Sequence, residues 1–158
     1  MTAPDRGFEP ATGNGPEEPA GPSGRPAAEV REAELRTAHE GLLQIRRLVN
    51  GPAGVSVPAP WELRQLPRAV ALALEAAGIT PSAVGADGRR TRTGYRVAAG
   101  ADPGRAEVTW QGPPGGGAAG EEQEGLAACA AVLEGLGWVC LVYRGPRGRR
   151  FLEVEPPR

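Results

Sequence analysis

The stretch EEQEGLAACAAVLEGLGWVCLVYRGPRGRRFLEVEP, residues 121–156, sets the fold class. Acids at its start and an apolar face of Leu126, Ala130, Leu133 and Leu136 predict a helix over 121–138. Gly137 followed by Trp138 is a glycine cap with its hydrophobic contact. WVCLVYR and RRFLEVEP then form a hairpin around Gly145-Pro146-Arg147-Gly148. The apolar run from Trp138 to Tyr143 predicts a strand buried on both faces, hence central. The last strand alternates, with Leu152 and Val154 inward and Glu153 and Glu155 outward.

Working back along the chain, GYRVAAG and RAEVTWQ flank the turn-forming ADPG and predict a second antiparallel hairpin. Tyr95, Val97 and Ala99 share a face there, as do Ala106, Val108 and Trp110. The glycine-dense GPPGGGAAG, residues 112–120, lacks both Walker and dinucleotide spacing and reads as a flexible linker. PSAVGADGRRTRT, residues 81–93, reads as a basic loop. Before it, Pro67 suits a first helical turn, and the segment to Ala77 is apolar on nearly every side, as in a buried helix. Gly78-Ile79 repeats the cap of Gly137-Trp138, and Trp61 and Leu63 are expected to pack on the same core.

Leu35, Ala38, Leu42, Ile45 and Val49 form one helical stripe at 28–49, with Arg46 and Arg47 complementing the dipole at its end. That stripe could dock on its own domain or serve as a seam for a protein partner, self or other. Residues 1–27 carry six prolines and one aromatic, Phe8, too little apolar surface to offset ordering. The chain therefore divides into a disordered tail (1–27), an amphipathic helix (28–50), a Pro-rich linker (51–59) and an α+β domain (60–156). In the domain, paired strands with helices to one side give a two-layer α+β fold, a ββαββ antiparallel sheet preceded by helices.

A formal net charge of −1 gives no global attraction to nucleic acid or lipid. No long apolar run or leader pattern points to a membrane, and two cysteines, Cys129 and Cys140, suit a reducing cytoplasm as packed residues. Every cation is Arg, the signature of a GC-rich genome, and the composition and ββαββ core resemble small actinobacterial proteins. One histidine, His39, with no partner His and no nucleophile–base set, predicts no catalytic residue, no metal and no cofactor.

A Gly-capped helix followed by a hairpin with a basic tip also resembles the last third of a winged-helix DNA-binding domain, AAVLEGLGW ending the recognition helix and VCLVYR and RRFLEVE forming the wing. The resemblance implies phosphate contacts by Arg144, Arg147, Arg149 and Arg150, joined by Arg89, Arg90 and Arg92 of the basic loop. The outer face of this helix instead carries Glu121, Glu122, Glu124 and Glu134, which a duplex repels. The first expectation is therefore a non-enzymatic protein-interaction or regulatory module, with nucleic-acid binding the alternative.

Overall fold

The structure, a computed structural model, describes residues 8–17 and 25–158. Helix α1 (Arg25–Val49) is followed by a 3₁₀ turn (Gly51–Ser56), α2 (Pro60–Arg64) and α3 (Leu66–Ala76). Next come β1 (Ala83–Val84), β2 (Arg90–Arg92), β3 (Gly94–Ala99), β4 (Ala106–Gln111), α4 (Ala118–Gly135), β5 (Val139–Arg144) and β6 (Arg150–Glu155). The class is α+β, as the patterning implied.

The four long strands form one antiparallel sheet in the order β3-β4-β6-β5. Strands β4 and β5 are thus parallel, linked through α4, with β6 inserted between them. Period-two alternation directs Tyr95, Val97, Ala106, Val108, Trp110, Leu152 and Val154 to one face. Against it lie Val70 and Leu74 of α3 and Leu126, Cys129 and Leu133 of α4. Both indoles of this core are shielded, Trp138 at 3 % and Trp110 at 9 % exposure. Gly125 lets α4 approach: a Cβ there would stand 2.5 Å from the Trp110 ring. Leu72 points to the other side of α3, where it meets Leu42, Leu35 and Ala38 of α1, so α1 adds a partial outer layer.

Several elements depart from the sequence expectations. Strand β5 is an edge strand, not a central one, because β6 takes the place between it and β4. The basic loop at 81–93 contains the short ribbon β1–β2, which hydrogen bonds fasten to β3: Ser82 N–H donates to Tyr95 O at 2.8 Å. The glycine-dense linker ends earlier than expected, since Ala118–Gly120 already belong to α4 and Ala118 is buried. Leu63 is 42 % exposed, and Ala99 is exposed too, at the sheet's end.

Residues 8–17 of the expected tail are laid along β3. Phe8 is buried at 4 %, Tyr95 Oη donates to Ala11 O at 2.7 Å, and Val97 N–H donates to Thr12 O at 2.7 Å. This segment is ordered by donors that belong to other elements, among them Arg31, whose guanidinium stacks 4.8 Å from the Phe8 ring centre. Residues 25–27 of that expectation already belong to α1, and residues 1–7 and 18–24 lie outside the described residues. The expected linker is likewise folded in, with Pro58 and Ala59 buried.

Arg46, expected to complement the dipole at the end of α1, is fully buried, and so is Glu62 of α2. Arg46 Nε donates to Glu62 Oε2 at 2.8 Å and Nη2 to Oε1 at 2.7 Å. Its Nη1 donates to Val55 O at 2.8 Å and to Leu136 O at 2.6 Å. Glu62 Oε2 also accepts the Ala59 N–H at 2.7 Å. Removing one partner strands an uncompensated buried charge. Arg46→Ala is expected to lower stability by about 3–5 kcal/mol, read as a fall in the urea midpoint. The double variant Arg46→Met with Glu62→Leu should recover a large part of that loss.

Candidate functional site

The outer edge of β5 is set by hydrogen-bond alternation. Gly145 N–H donates to Arg149 O at 2.7 Å, which makes that pair a bonded one. Alternate pairs in an antiparallel ladder then follow: Tyr143–Phe151, Leu141–Glu153 and Val139–Glu155 bond to each other. The N–H and C=O groups of Cys140, Val142 and Arg144 consequently point away from β6. Among the described residues no strand pairs with them. The opposite edge of the sheet differs, since Thr12 and Thr80 accept the N–H groups of Val97 and Tyr95.

The side chains on β5 are apolar and open. Cys140 and Val142 share a face with buried Val154 and Leu152, yet Val142 is 57 % exposed. On the other face Val139, Leu141 and Tyr143 are all exposed, and Tyr143 stacks on Phe151 with ring centres 5.6 Å apart. An apolar edge with free main-chain groups is a template for another strand.

The seven arginines singled out from the sequence separate into two groups. Arg149 is engaged with Glu122 and with Trp110 O, while Glu122, nearly buried on α4, also accepts the Arg150 N–H at 2.7 Å. Arg90 donates to Gly13 O and to Ser82 Oγ, and Arg92 donates to Pro81 O at 2.9 Å. These three guanidiniums hold the fold together. Among the described residues the side chains of Arg89, Arg144, Arg147 and Arg150 form no ion pair. The strand registers bring both basic loops to one end of the sheet but to opposite edges. Three strand spacings, about 14 Å, separate them.

The stripe on α1 is largely spent on the protein itself. Leu42 is buried, Leu35 and Ala38 pack with it, Ile45 is half-buried and Val49 is 48 % exposed. Beside the stripe, His39 lines an open apolar groove of about 360 Å³ with Ala73, Ala76, Ala131, Val132 and Leu136. Burial there holds its imidazole below the usual range. Among the described residues no group of three or more His, Cys, Asp or Glu could hold a metal, and no helix is long and apolar enough to cross a membrane.

Three charged residues are buried against the sequence reading: Arg46, expected only to complement the helix dipole, Glu122, expected on the outer face of α4 but turned inward to Arg149, and Glu62, which was not singled out. Only Glu62 had a signal, being an acid two residues after the Pro60 that opens a helix. Comparison with known proteins found no matching family model, no matching curated protein and no matching solved structure.

Burial pushes both thiols, Cys129 and Cys140, up to about 12. Alkylation with iodoacetamide at pH 8 should therefore be far slower on the native chain than on the urea-unfolded one. Mass spectrometry of the two cysteine peptides reads the difference.

Proposed function

We propose that this chain is a protein-interaction module whose binding element is the outer edge of β5. The observation carrying this reading is the exposed apolar run Val139–Tyr143, with the main-chain groups of Cys140, Val142 and Arg144 open beside it. Strand addition supplies affinity through main-chain hydrogen bonds and specificity through the alternate side chains. Proline at an outward-facing edge position removes one donor without breaking the internal ladder. Val142→Pro is therefore expected to abolish capture of a protein partner by the tagged full chain while leaving its thermal unfolding at low concentration intact. Undiminished capture by Val142→Pro would remove the edge from consideration.

A second reading, nucleic-acid binding, rests on the guanidiniums of Arg144, Arg147 and Arg150 around one turn, which form no ion pair among the described residues. Three phosphate contacts give a log-affinity against log-salt slope of about −2.7. The acidic outer face of α4 works against it, with Glu121, Glu124 and Glu134 all exposed. Anisotropy of a labelled duplex at low salt tests the idea, and equal binding by the chain with all three arginines changed to Glu would dismiss it.

A further inference from the structure

We infer that the occupant of the β5 edge is a second copy of this chain, joined edge to edge by antiparallel pairing about a two-fold axis through Val142. This rests on the edge reading above and identifies its partner.

The first support is the mismatch between β5 and its place. Its composition is that of a central strand, yet among the described residues it pairs only with β6. Edge strands are ordinarily blunted by charge, proline or a bulge. Here those features, Arg144 and Gly145-Pro146, begin only where the strand ends. Pairing two β5 edges makes both strands central in a continuous eight-stranded sheet.

The second support is register. Only Cys140, Val142 and Arg144 direct main-chain groups outward, and they are spaced symmetrically about Val142. An axis there sets Val142 against its own copy, and Cys140 against Arg144 of the second copy, twice over. All of these are bonded pairs. On the outer face Leu141 then meets Tyr143 of the second copy, and both leave water. Val142, which α4 does not cover, gains an apolar neighbour.

The third support is charge. Arg144 lies opposite Arg150 in its own hairpin, a like-charged cross-strand pair. Glu134 occupies the last turn of α4, where a carboxylate faces the negative end of the helix dipole. Neither side chain has an ion pair among the described residues. Glu134 sits close enough to Cys140 to act on its thiol. The axis through Val142 brings Arg144 of the second copy opposite Cys140, and so beside Glu134. Each copy supplies one cation and one anion, giving two symmetric ion pairs. A surface complementary to itself in this way fits a second copy better than an unrelated chain. Sliding the register by two residues moves Arg144 of the second copy on to Trp138 and forfeits the pairing.

Such an interface lies at the small end of the range, below about 1,200 Å², so half-dissociation on the order of 10 µM is expected. Sedimentation velocity of the full chain tests it between about 1 and 200 µM, a span either side of that midpoint. The expected result is a monomer–dimer transition in the wild type and a monomer throughout for Val142→Pro. Arg144→Glu should weaken the dimer by about tenfold or more, and adding Glu134→Arg to the same chain should restore it. A wild-type chain still monomeric at the upper limit overturns the inference. So does a dimer indifferent to Val142→Pro, or one that Glu134→Arg fails to restore. If the wild type is monomeric but captures another protein in a Val142→Pro-sensitive manner, the second copy is wrong and the edge reading stands. If neither self-association nor capture responds to Val142→Pro, both fall.

Discussion

Arg46 and Glu62 are held wholly out of water, where neither charge is tolerable alone. Dehydrating a guanidinium and a carboxylate costs several kcal/mol each, and only a complete set of partners offsets it. The set here is complete on both sides: a bidentate pair, two carbonyls for the cation and one amide for the anion. Those partners come from α1, the 3₁₀ turn, α2 and the C-terminal end of α4. Three neighbouring segments, and a fourth some ninety residues beyond Arg46, are thereby obliged to meet at one point. The Leu136 carbonyl also belongs to the glycine-capped turn that launches β5, with Trp138 N–H returning to Leu133 O at 3.0 Å. Gly137 makes the meeting feasible: its φ of +87° suits glycine, and a Cβ would stand 2.0 Å from Ser56 O.

The other end of α4 has its own clamp. Glu122 takes the Arg149 guanidinium and the Arg150 amide, fixing the helix to the turn end of the β5–β6 hairpin. Between the two clamps α4 lies across the sheet, and Gly125 lets it settle on the Trp110 indole. The hairpin is therefore half of a packed sheet rather than a free wing. Its edge is presented by a rigid support, which limits the ordering entropy that a binding strand would otherwise have to overcome.

How much of this was legible in the sequence depends on whether a feature is local. Alternation in RAEVTWQ and RFLEVE located the inward residues of β4 and β6 because period two is a property of the strand itself. The caps at Gly78 and Gly137 were legible for the same reason, each adopting positive φ and its returning hydrogen bond. What could not be read was the supplier of each contact. The run VCLVY reports an apolar strand, and says nothing of which elements cover it. Arg46 was read correctly in sign as a cation at a helix end, but its destination, a carboxylate in another helix, is a matter of tertiary packing. Arg90, Arg92 and Arg149 looked alike with Arg144 and Arg147 until the fold provided carbonyls and a carboxylate for the first three. Residues 8–17 have a composition that cannot order itself, and the donors that order it lie on α1 and β3.

An exposed apolar edge is ordinarily a hazard, because an open ladder can grow without limit. The geometry of this sheet removes that route. At the far edge, the amides of Tyr95 and Val97 are already taken by Thr80 and Thr12, so a chain arriving there finds no free donors at those positions. Among the described residues the open main-chain groups of β5 belong to three residues before Gly145-Pro146 and the 3₁₀ turn end the strand. A sheet with a single available edge closes after one pairing, since the partner's remaining edge is its own occupied β3. The segment over β3 and the apolar run of β5 are thus two halves of one arrangement. The first blocks extension on one side, and the second invites a single strand on the other.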